Sequence, residues 1–307
     1  MSEKKWRPGV RPMLAVFLLF LAGSLSAGQA PEALNPDSGM QQALEAVLQK
    51  LGLQSPAREH RLALSLVDVS DPSRVRYAGI NDRDMMYAAS LPKIAILLAG
   101  FEAIGNGLLR YTPDVKAMFT RLTRFSSNED ASRAVQRIGF DYIAQVLTST
   151  RYKLYDPASN GGLWIGKAYG GPADYWKRDP LHNLSHGATS LQVARFFVML
   201  DQGKLVSPHY SAEMKEILSN PGIHHKFVKG LETARPGRVI YRKSGTWRDT
   251  HCDAALVEYG GRKYIAVALM KDEHGGEVLP RLIVQMDDLV INRNHVLAAN
   301  HASAPID

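Results

Sequence analysis

Cysteine is almost absent from this chain: Cys252 is the single one among 307 residues. One cysteine excludes an internal disulfide and any cysteine-rich metal site. We find no internal repeat either. With 45% hydrophobic and 22% charged residues, the composition is that of an ordinary globular protein.

Long apolar runs are also scarce, and the one present lies near the start, at residues 13–25. Basic residues precede this run and small residues follow it, which is the order of a secretory signal peptide. Its 13 residues are too few for a membrane span, which needs about 20. We predict a signal peptide over residues 1–27, cleaved at Ala27 or Gly28. An uncleaved anchor is the alternative.

No cysteine follows the apolar run, so a lipid anchor has no attachment point there. We expect no stable membrane anchor once the signal peptide is removed. An exported chain without disulfides indicates the bacterial periplasm or the cell exterior. We therefore predict a periplasmic or secreted protein.

Excess charge of one sign is modest. Of the net charge of +7, residues 1–27 carry four positive charges and one negative, so about +4 remains for the mature chain. That favours solubility and gives no reason to expect a nucleic-acid partner.

Hydrophobic periodicity predicts strands at both ends of the chain and helices between them. Helical spacing predicts a first helix over 38–53, another from about Ser90 and a last one over 280–291. A tight hairpin is expected at Gly260-Gly261. The predicted strands occupy residues 61–69, 73–80, 239–243, 254–259 and 264–270.

The economical architecture is an α/β (α+β) fold in which one antiparallel sheet of N- and C-terminal strands is flanked by the terminal helices. Residues 28–107 and 226–297 would form this sheet domain. An all-helical domain over 108–225 would be inserted between them, and residues 298–307 would be a disordered tail. A crevice between two such parts is where a ligand site is expected.

The stretch Ser90-Leu91-Pro92-Lys93 begins the predicted buried helix. Proline fits the first helical turn, because its missing N–H is unpaired there anyway. Residues three apart share a helix face, so the Lys93 amine can point at the Ser90 hydroxyl. This predicts a nucleophile with its base. An N-cap serine with a solvated lysine is the alternative.

Two further motifs follow in order. Ser126-Ser127-Asn128 precedes a predicted helix, and Lys243-Ser244-Gly245 ends a predicted strand. Together with the first motif they match the S-x-x-K, S-D-N and K-T-G set of class A β-lactamases and penicillin-binding proteins. The sequence resembles this superfamily of penicillin-recognising serine enzymes over most of the mature chain. The resemblance implies a β-lactamase/transpeptidase-like fold.

The resemblance also implies a role for each matching residue. Ser90 would be the acylated nucleophile and Lys93 its proton acceptor. Ser126 would relay a proton to the leaving nitrogen, and Asn128 would bind the amide side chain of the substrate. Lys243 and Ser244 would hold the substrate carboxylate. The backbone N–H groups of Ser90 and Thr246 would form the oxyanion hole.

Glutamate is absent between Glu129 and Glu213. Class A enzymes carry a Glu in this interval, which activates the water that frees the acyl-enzyme. The local match to their E-P-x-x-N sequence is Asp179-Pro180-Leu181-His182-Asn183, so Asp179 is the candidate base. Its side chain is one methylene shorter, and a displacement near 1 Å can cost about 100-fold in rate. Asp156 and Lys93 are the other candidates, and a plain turn residue is the alternative for Asp179.

Histidines at positions 182, 186, 224 and 225 invite a zinc hypothesis, but they lack an acidic or cysteine partner at ligand spacing. We expect loop or surface histidines, no metal site and no cofactor.

Three functions remain open on the sequence. The first is an exported β-lactamase-type serine acyl-hydrolase that opens a β-lactam amide through a Ser90 acyl-enzyme. The second is a D,D-peptidase or another acyl-hydrolase that acts on D-Ala-type cell-wall peptides. The third is a penicillin-binding protein that acylates slowly and does not turn over.

Overall fold

A computed structural model describes residue 34 and the ranges 36–170 and 177–292. The predicted signal peptide and the predicted disordered tail lie outside these residues and stay predictions. Within the described ranges, no helix has both the length and the apolar composition that a membrane crossing needs.

The described ranges contain ten α-helices. They are α1 Ser38–Leu51, α2 Gln54–Arg58, α3 Lys93–Gly105, α4 Pro113–Arg124, α5 Asn128–Ile138, α6 Phe140–Thr148, α7 Ser190–Asp201, α8 Pro208–Leu218, α9 Phe227–Ala234 and α10 Gly275–Val290. The helices predicted near both ends of the chain correspond to α1 and α10. Pro280 lies inside α10, so that helix begins before the predicted position.

The same ranges contain ten strands. They are β1 Leu62–Asp68, β2 Arg76–Ile80, β3 Met86–Tyr87, β4 Tyr155–Asp156, β5 Gly161–Gly162, β6 Trp164–Ile165, β7 His186–Ala188, β8 Val239–Trp247, β9 Thr250–Tyr259 and β10 Arg262–Lys271. The five longest strands form one antiparallel sheet in the order β2-β1-β10-β9-β8. This confirms the predicted sheet of N- and C-terminal strands.

The turn between β9 and β10 is the predicted two-residue hairpin. Tyr259 pairs with Arg262, and Gly260 and Gly261 have φ angles of 56° and 76°. Positive φ at both central residues produces a turn whose twist matches that of the flanking strands, and glycine adopts it without strain. The sheet register beyond this turn follows from it.

Helices cover both faces of the sheet. Strand β1 shows why, because all its residues are buried. Leu64 and Leu66 belong to the core formed with α1, α9 and α10, whereas Ala63 and Val67 belong to the core formed with α7 and α3. Alternate side chains therefore enter opposite layers, and the strand is buried on both faces.

Helix α3 lies in the centre of the molecule. Every residue from Lys93 to Ile104 is buried, and α4, α5 and α6 pack around it. A helix that is apolar on all sides is stable only in such a place. The turn that precedes α3 is therefore held at the boundary between the five-stranded sheet and helices α4 to α6.

Helices α4 to α8 form most of the predicted insertion, but the insertion also contains strands. The helical pattern is interrupted by a Gly- and Pro-rich stretch at residues 156–187. This stretch forms most of β4 to β7. Strand β7 pairs with both β6 and β3, and β3 runs directly into the turn before α3. The insertion is thus mostly helical rather than all-helical, and its boundaries at 108 and 225 stay predictions.

Candidate active site

The three sequence motifs come together at one end of β8. Lys93 at the start of α3 and Lys243 on β8 both approach Ser126, in the turn before α5. Gly245 on β8 lies against the backbone of Ser90. The fold therefore assembles the predicted residues of all three motifs into one cluster.

Ser90 lies in a turn that leads into α3 rather than inside the helix. Ala89 has a φ angle of 49°, and the amides of Leu91 and Lys93 donate to the carbonyls of Ala88 and Ser90. These tight i→i+3 bonds delay the helix to Lys93, three residues after the predicted start. The Ser90 N–H donates to no residue in the described part of the chain.

The Lys93 side chain is fully buried. Its Nζ donates to the Ser126 carbonyl oxygen at 2.6 Å and to Asn128 Oδ1 at 2.8 Å, and it lies 3.4 Å from Ser126 Oγ. Among the described contacts, no hydrogen bond joins Lys93 to Ser90. The predicted Ser90–Lys93 pair is therefore not formed here, and Lys93 is held by the second motif instead.

Burial lowers the pKa of Lys93 to about 7, because an ammonium group loses its hydration inside the protein. Burial also lowers the pKa of Lys243 well below its ordinary value, and the neighbouring charge of Lys93 lowers it further. Two amines that face one serine hydroxyl repel each other when both are charged. A neutral amine, the form that accepts a proton, is thus available near pH 7.

The hydroxyl of Ser126 lies between the two amines. Lys243 Nζ donates to Ser126 Oγ at 2.9 Å and to the carbonyl oxygen of Ser244 at 2.6 Å. Since Ser126 Oγ accepts from Lys243, its own proton is free to be donated onwards. This arrangement fits the proton relay that the resemblance implies.

Ser127, the residue at which this chain departs from the family's Asp, caps helix α5. Its side chain accepts a hydrogen bond from the amide of Asp130 at 3.1 Å. Serine and aspartate are both good N-caps. The substitution therefore preserves the helix start that positions Ser126 on one side and Asn128 on the other.

Gly245 allows β8 to approach Ser90. A Cβ at this position would lie 2.3 Å from the Ala88 carbonyl oxygen and 2.9 Å from the Ser90 amide nitrogen. Both are backbone atoms, which cannot move aside cheaply. Only glycine permits this contact.

Thr246 completes the edge that faces Ser90. β8 is the outer strand of the sheet, and Arg248 and Asp249 form the two-residue turn into β9. In an antiparallel ladder, pairs of residues that exchange hydrogen bonds alternate with pairs that do not. Trp247 and Thr250, which flank the turn, are a hydrogen-bonded pair, so the next pair, Thr246 and His251, exchanges no hydrogen bonds. The Thr246 N–H therefore points away from β9, on the strand edge where Gly245 approaches the Ser90 backbone. The oxyanion hole of the Ser90 and Thr246 amides stays a prediction.

Gly245→Ala is expected to lower the acylation rate by about 100-fold or more, because β8 must shift and carry the Thr246 amide out of place. Stopped-flow acylation measures this loss. Gly261→Ala is the matched control, since nothing lies within 4 Å of its Cβ position, although its positive φ makes it mildly destabilising. Equal acylation rates in the two variants would contradict this assignment.

Lys226, which the sequence gave no reason to select, supports the far side of β8. It is 1% exposed and has a φ angle of 51°. Its Nζ donates to the Gly245 carbonyl at 2.5 Å, to Thr246 Oγ1 at 2.7 Å and to the Cys252 carbonyl at 3.2 Å. Burial lowers its pKa to about 8. This side chain ties the catalytic edge of β8 to β9.

The segment that carries Lys226 is fixed by a buried ion pair. Arg242 contacts Asp253 at 2.7 Å and also donates to the Ile223 carbonyl, while Asp253 accepts from the Phe227 amide. His225, expected to be a loop or surface residue, lies with its Nε2 3.2 Å from Ser244 Oγ. Burial lowers the pKa of His225 to about 4, so it is neutral at pH 7.

The structure does not join Asp179 to this cluster. Its buried carboxylate accepts from the Tyr155 hydroxyl at 2.5 Å and from the amides of Leu181, His182 and Leu184. No described hydrogen bond or ion pair connects Asp179 to Ser90, Lys93 or Ser126. These donors give it a loop-fixing role, and its water-activating role stays a prediction.

Asp179→Asn is expected to cost about 2 kcal/mol of stability, because an amide NH2 would face backbone N–H donors and leave them unpaired. The folded fraction should release an acyl group at the wild-type rate. Asp141→Asn is the control, since Asp141 is exposed in the first turn of α6 and is not one of the candidate bases. Urea unfolding and single-turnover deacylation measure the two effects. Accumulation of acyl-enzyme in Asp179→Asn would restore the water-activating role.

His186, unlike His225, does not occupy the expected loop or surface position. It is 2% exposed in β7, and its Nε2 lies 3.1 Å from the Lys167 carbonyl oxygen. Within the described ranges, no group of three or more His, Cys, Asp or Glu side chains is placed to hold a metal ion. His186 therefore acts as a packed ring beside the site.

Solved structures of known proteins share this fold. PBP-A is 18% identical with a TM-score of 0.61, over 83% of this chain and 96% of that one. A PBP-A mutant in an acyl-enzyme complex with penicillin G is 17% identical with a TM-score of 0.62, over 83% and 97%. A β-lactamase from Sphaerobacter thermophilus is 14% identical with a TM-score of 0.59, over 82% and 97%. Such identities show a common fold alone.

None of the curated proteins compared with this chain matches it. Residues 127–292 match the model of the Beta-lactamase enzyme family. This range is more than half of the 307 residues and contains Asn128 and the Lys243-Ser244-Gly245 motif. The chain belongs to the Beta-lactamase enzyme family.

Proposed function

We propose that this protein is a serine hydrolase that opens a β-lactam amide through a Ser90 acyl-enzyme. The observation that carries the proposal is the convergence of two buried lysines, Lys93 and Lys243, on the Ser126 hydroxyl beside the Ser90 turn. Family membership and the fold shared with an acyl-enzyme of a PBP-A mutant support it.

In the acylation step, the neutral Lys93 amine takes the proton of the Ser90 hydroxyl. Ser90 Oγ then bonds to the amide carbon, and the carbonyl oxygen gains the negative charge. The N–H groups of Ser90 and Thr246 donate to that oxygen, a contribution worth about 3 kcal/mol per donor in comparable sites. No Lys93–Ser90 hydrogen bond is among the described contacts, and catalytic hydrogen bonds often tighten only in the complex with substrate.

Collapse of this intermediate breaks the carbon–nitrogen bond. Ser126 donates its proton to the leaving nitrogen, and a lysine ammonium returns a proton to Ser126. Lys243 Nζ lies 2.9 Å and Lys93 Nζ 3.4 Å from Ser126 Oγ, so either lysine can supply this proton. Lys243 and Ser244 would hold the substrate carboxylate, and Asn128 would bind its amide side chain.

Deacylation requires a base for water, and no carboxylate contacts Lys93 in the described part of the chain. Burial is the cause of its lowered pKa, with no charged partner involved. We therefore assign Lys93 to both steps and expect slow release of a penicilloyl group. This feature also favours a second candidate, a D,D-peptidase that acts on a D-Ala-type peptide.

Intact-mass measurement after addition of benzylpenicillin tests the proposal. We expect a mass increase equal to the whole penicillin, which then decays with release of the hydrolysed product. A lasting adduct with release of D-alanine from a D-Ala-D-Ala peptide would select the D,D-peptidase. A lasting adduct without D-alanine release would indicate a penicillin-binding protein that does not turn over. Absence of any adduct would overturn all three.

Export to the periplasm or the cell exterior is part of the same proposal. It rests on the signal-peptide pattern of residues 1–27, which lie outside the described ranges. N-terminal sequencing of the protein recovered from a periplasmic fraction tests it, with cleavage after residue 27 or 28 as the expected result.

A further inference from the structure

The Lys93 amine packs against a buried aromatic ring. Lys93 Nζ lies 4.4 Å from the centroid of the Tyr169 ring. The Tyr169 ring stacks on the imidazole of His186, with centroids 4.2 Å apart and an interplanar angle of 30°. Both side chains are buried. The base of the proposed reaction thus lies against a buried ring that is backed by a second one.

Hydrogen bonds from both its backbone and its hydroxyl group hold Tyr169 in place. The Ser132 hydroxyl accepts from the Tyr169 amide at 2.9 Å and donates to the Tyr169 carbonyl at 2.7 Å. The Tyr169 hydroxyl donates to the Ala89 carbonyl oxygen at 3.4 Å. Tyr169 is therefore tied on one side to helix α5 and on the other to the residue that precedes Ser90.

We propose that Tyr169 is a positioning residue that excludes water from Lys93 and thereby sets the pH above which Lys93 accepts a proton. The proposal rests on the proposed function of Lys93 as the base.

Two effects of the ring on Lys93 oppose each other. The ring face attracts an ammonium group, whereas the exclusion of water disfavours it. The pKa of Lys93 is lowered to about 7 with the ring present, so the loss of hydration dominates. Removal of the ring should therefore admit water, raise the pKa of Lys93 and leave less neutral amine at pH 7.

Among the described residues, the other titratable groups that face Lys93 are Lys243, His186 and Tyr169 itself. Burial raises the pKa of Tyr169 far above its ordinary value, and it lowers that of His186 to about 4, so neither changes charge between pH 5.5 and 9.5. Lys243 shares the titration with Lys93, and the measured midpoint belongs to the pair. The test therefore compares midpoints between variants.

The experiment follows the rate of acylation by a chromogenic cephalosporin from pH 5.5 to 9.5. In Tyr169→Leu, we expect the midpoint to move to higher pH, with a loss of about fivefold at pH 7 that is recovered near pH 9, as a rise of about one unit from pH 7 requires. Tyr169→Phe keeps the ring and should keep the wild-type midpoint. Tyr152→Leu, at a buried tyrosine that donates to Glu102 instead, should lose stability without moving the midpoint.

Ser132→Ala serves as a second variant, because it frees the Tyr169 backbone without deleting a core ring. We expect a smaller shift of the midpoint in the same direction. The proposal would be overturned if Tyr169→Leu lost the same fraction of the acylation rate at every pH. If Tyr169→Leu does not fold, an unchanged midpoint in Ser132→Ala would overturn it instead.

The proposal and the proposed function fail in different ways. If the wild type forms no acyl-enzyme, the function fails, and the midpoint of Lys93 is then read from NMR titration of the lysine Nζ region in the wild type and Tyr169→Leu. A higher Lys93 midpoint in the variant supports the positioning role, and equal midpoints overturn it.

Discussion

Ser90→Ala should abolish the penicillin adduct and lower turnover by about 10⁴-fold or more, the scale seen when a serine nucleophile is removed. Ser90 carries the only side-chain hydroxyl among residues 88–92, the turn that precedes α3. This hydroxyl makes no hydrogen bond to any described residue, so its loss should change stability by less than about 0.5 kcal/mol. Intact mass, steady-state hydrolysis and urea unfolding measure these effects.

Ser127→Ala is the control from the second motif. The Ser127 side chain caps α5, so its removal should cost about 1 kcal/mol of stability. It touches neither lysine in the described contacts, so the adduct should still form. Peptide mapping locates the adduct in the wild type. An adduct on Ser126 or Ser127 would contradict the assignment of Ser90 as nucleophile.

Much of the fold follows from local patterns. Alternation of apolar residues identifies the strands of the central sheet, and Gly260-Gly261 specifies a hairpin that sets the register between β9 and β10. The apolar run after Lys93 predicts a buried helix, and α3 is one. These features depend on residues close together in sequence, and they are therefore visible without tertiary information.

The second and third motifs were informative because each lies where its element requires. Ser127 caps α5, so Ser126 and Asn128 are held at a helix start. Lys243 and Gly245 lie on an outer strand, which leaves a backbone edge free for a ligand. The resemblance to penicillin-recognising enzymes rests on these local geometries, and the contacts between the lysines and Ser126 agree with it.

Other features depend on contacts between residues distant in sequence. Lys226 reaches Gly245 and Thr246 from a segment without a recognisable motif. Tyr169 and His186 lie in the Gly- and Pro-rich stretch, where no periodicity indicates burial. The sequence D-P-x-x-N occurs twice, at 156–160 and at 179–183. A short pattern of this kind specifies a turn, and it does not specify what the turn faces.

Replacement of Lys93 is expected to have the other large effect on acylation. Lys93→Met should lower the acylation rate by about 10³-fold, within the range for loss of a general base. Unlike most core substitutions, it should also raise the free energy of unfolding, by about 1–2 kcal/mol at pH 6. Methionine fills the same space without a charge to bury, although the unpaired carbonyl oxygens of Ser126 and Asn128 offset part of the gain.

The stability difference should depend on pH in a definite direction. Lys93 has a pKa of about 7 in the folded protein and of 10.5 as an unperturbed side chain. Between these values the unfolded chain binds more protons, so the wild type becomes more stable as the pH rises. The stability advantage of Lys93→Met should therefore be full below pH 7 and shrink towards pH 10.

Lys204→Met, at an exposed lysine, should change neither the acylation rate nor the pH dependence of stability. Urea unfolding at pH 6 and pH 9 beside stopped-flow acylation separates the outcomes. A variant that acylates normally, or whose advantage grows with pH, would show that Lys93 is not the buried, partly neutral base on which the proposed reaction depends.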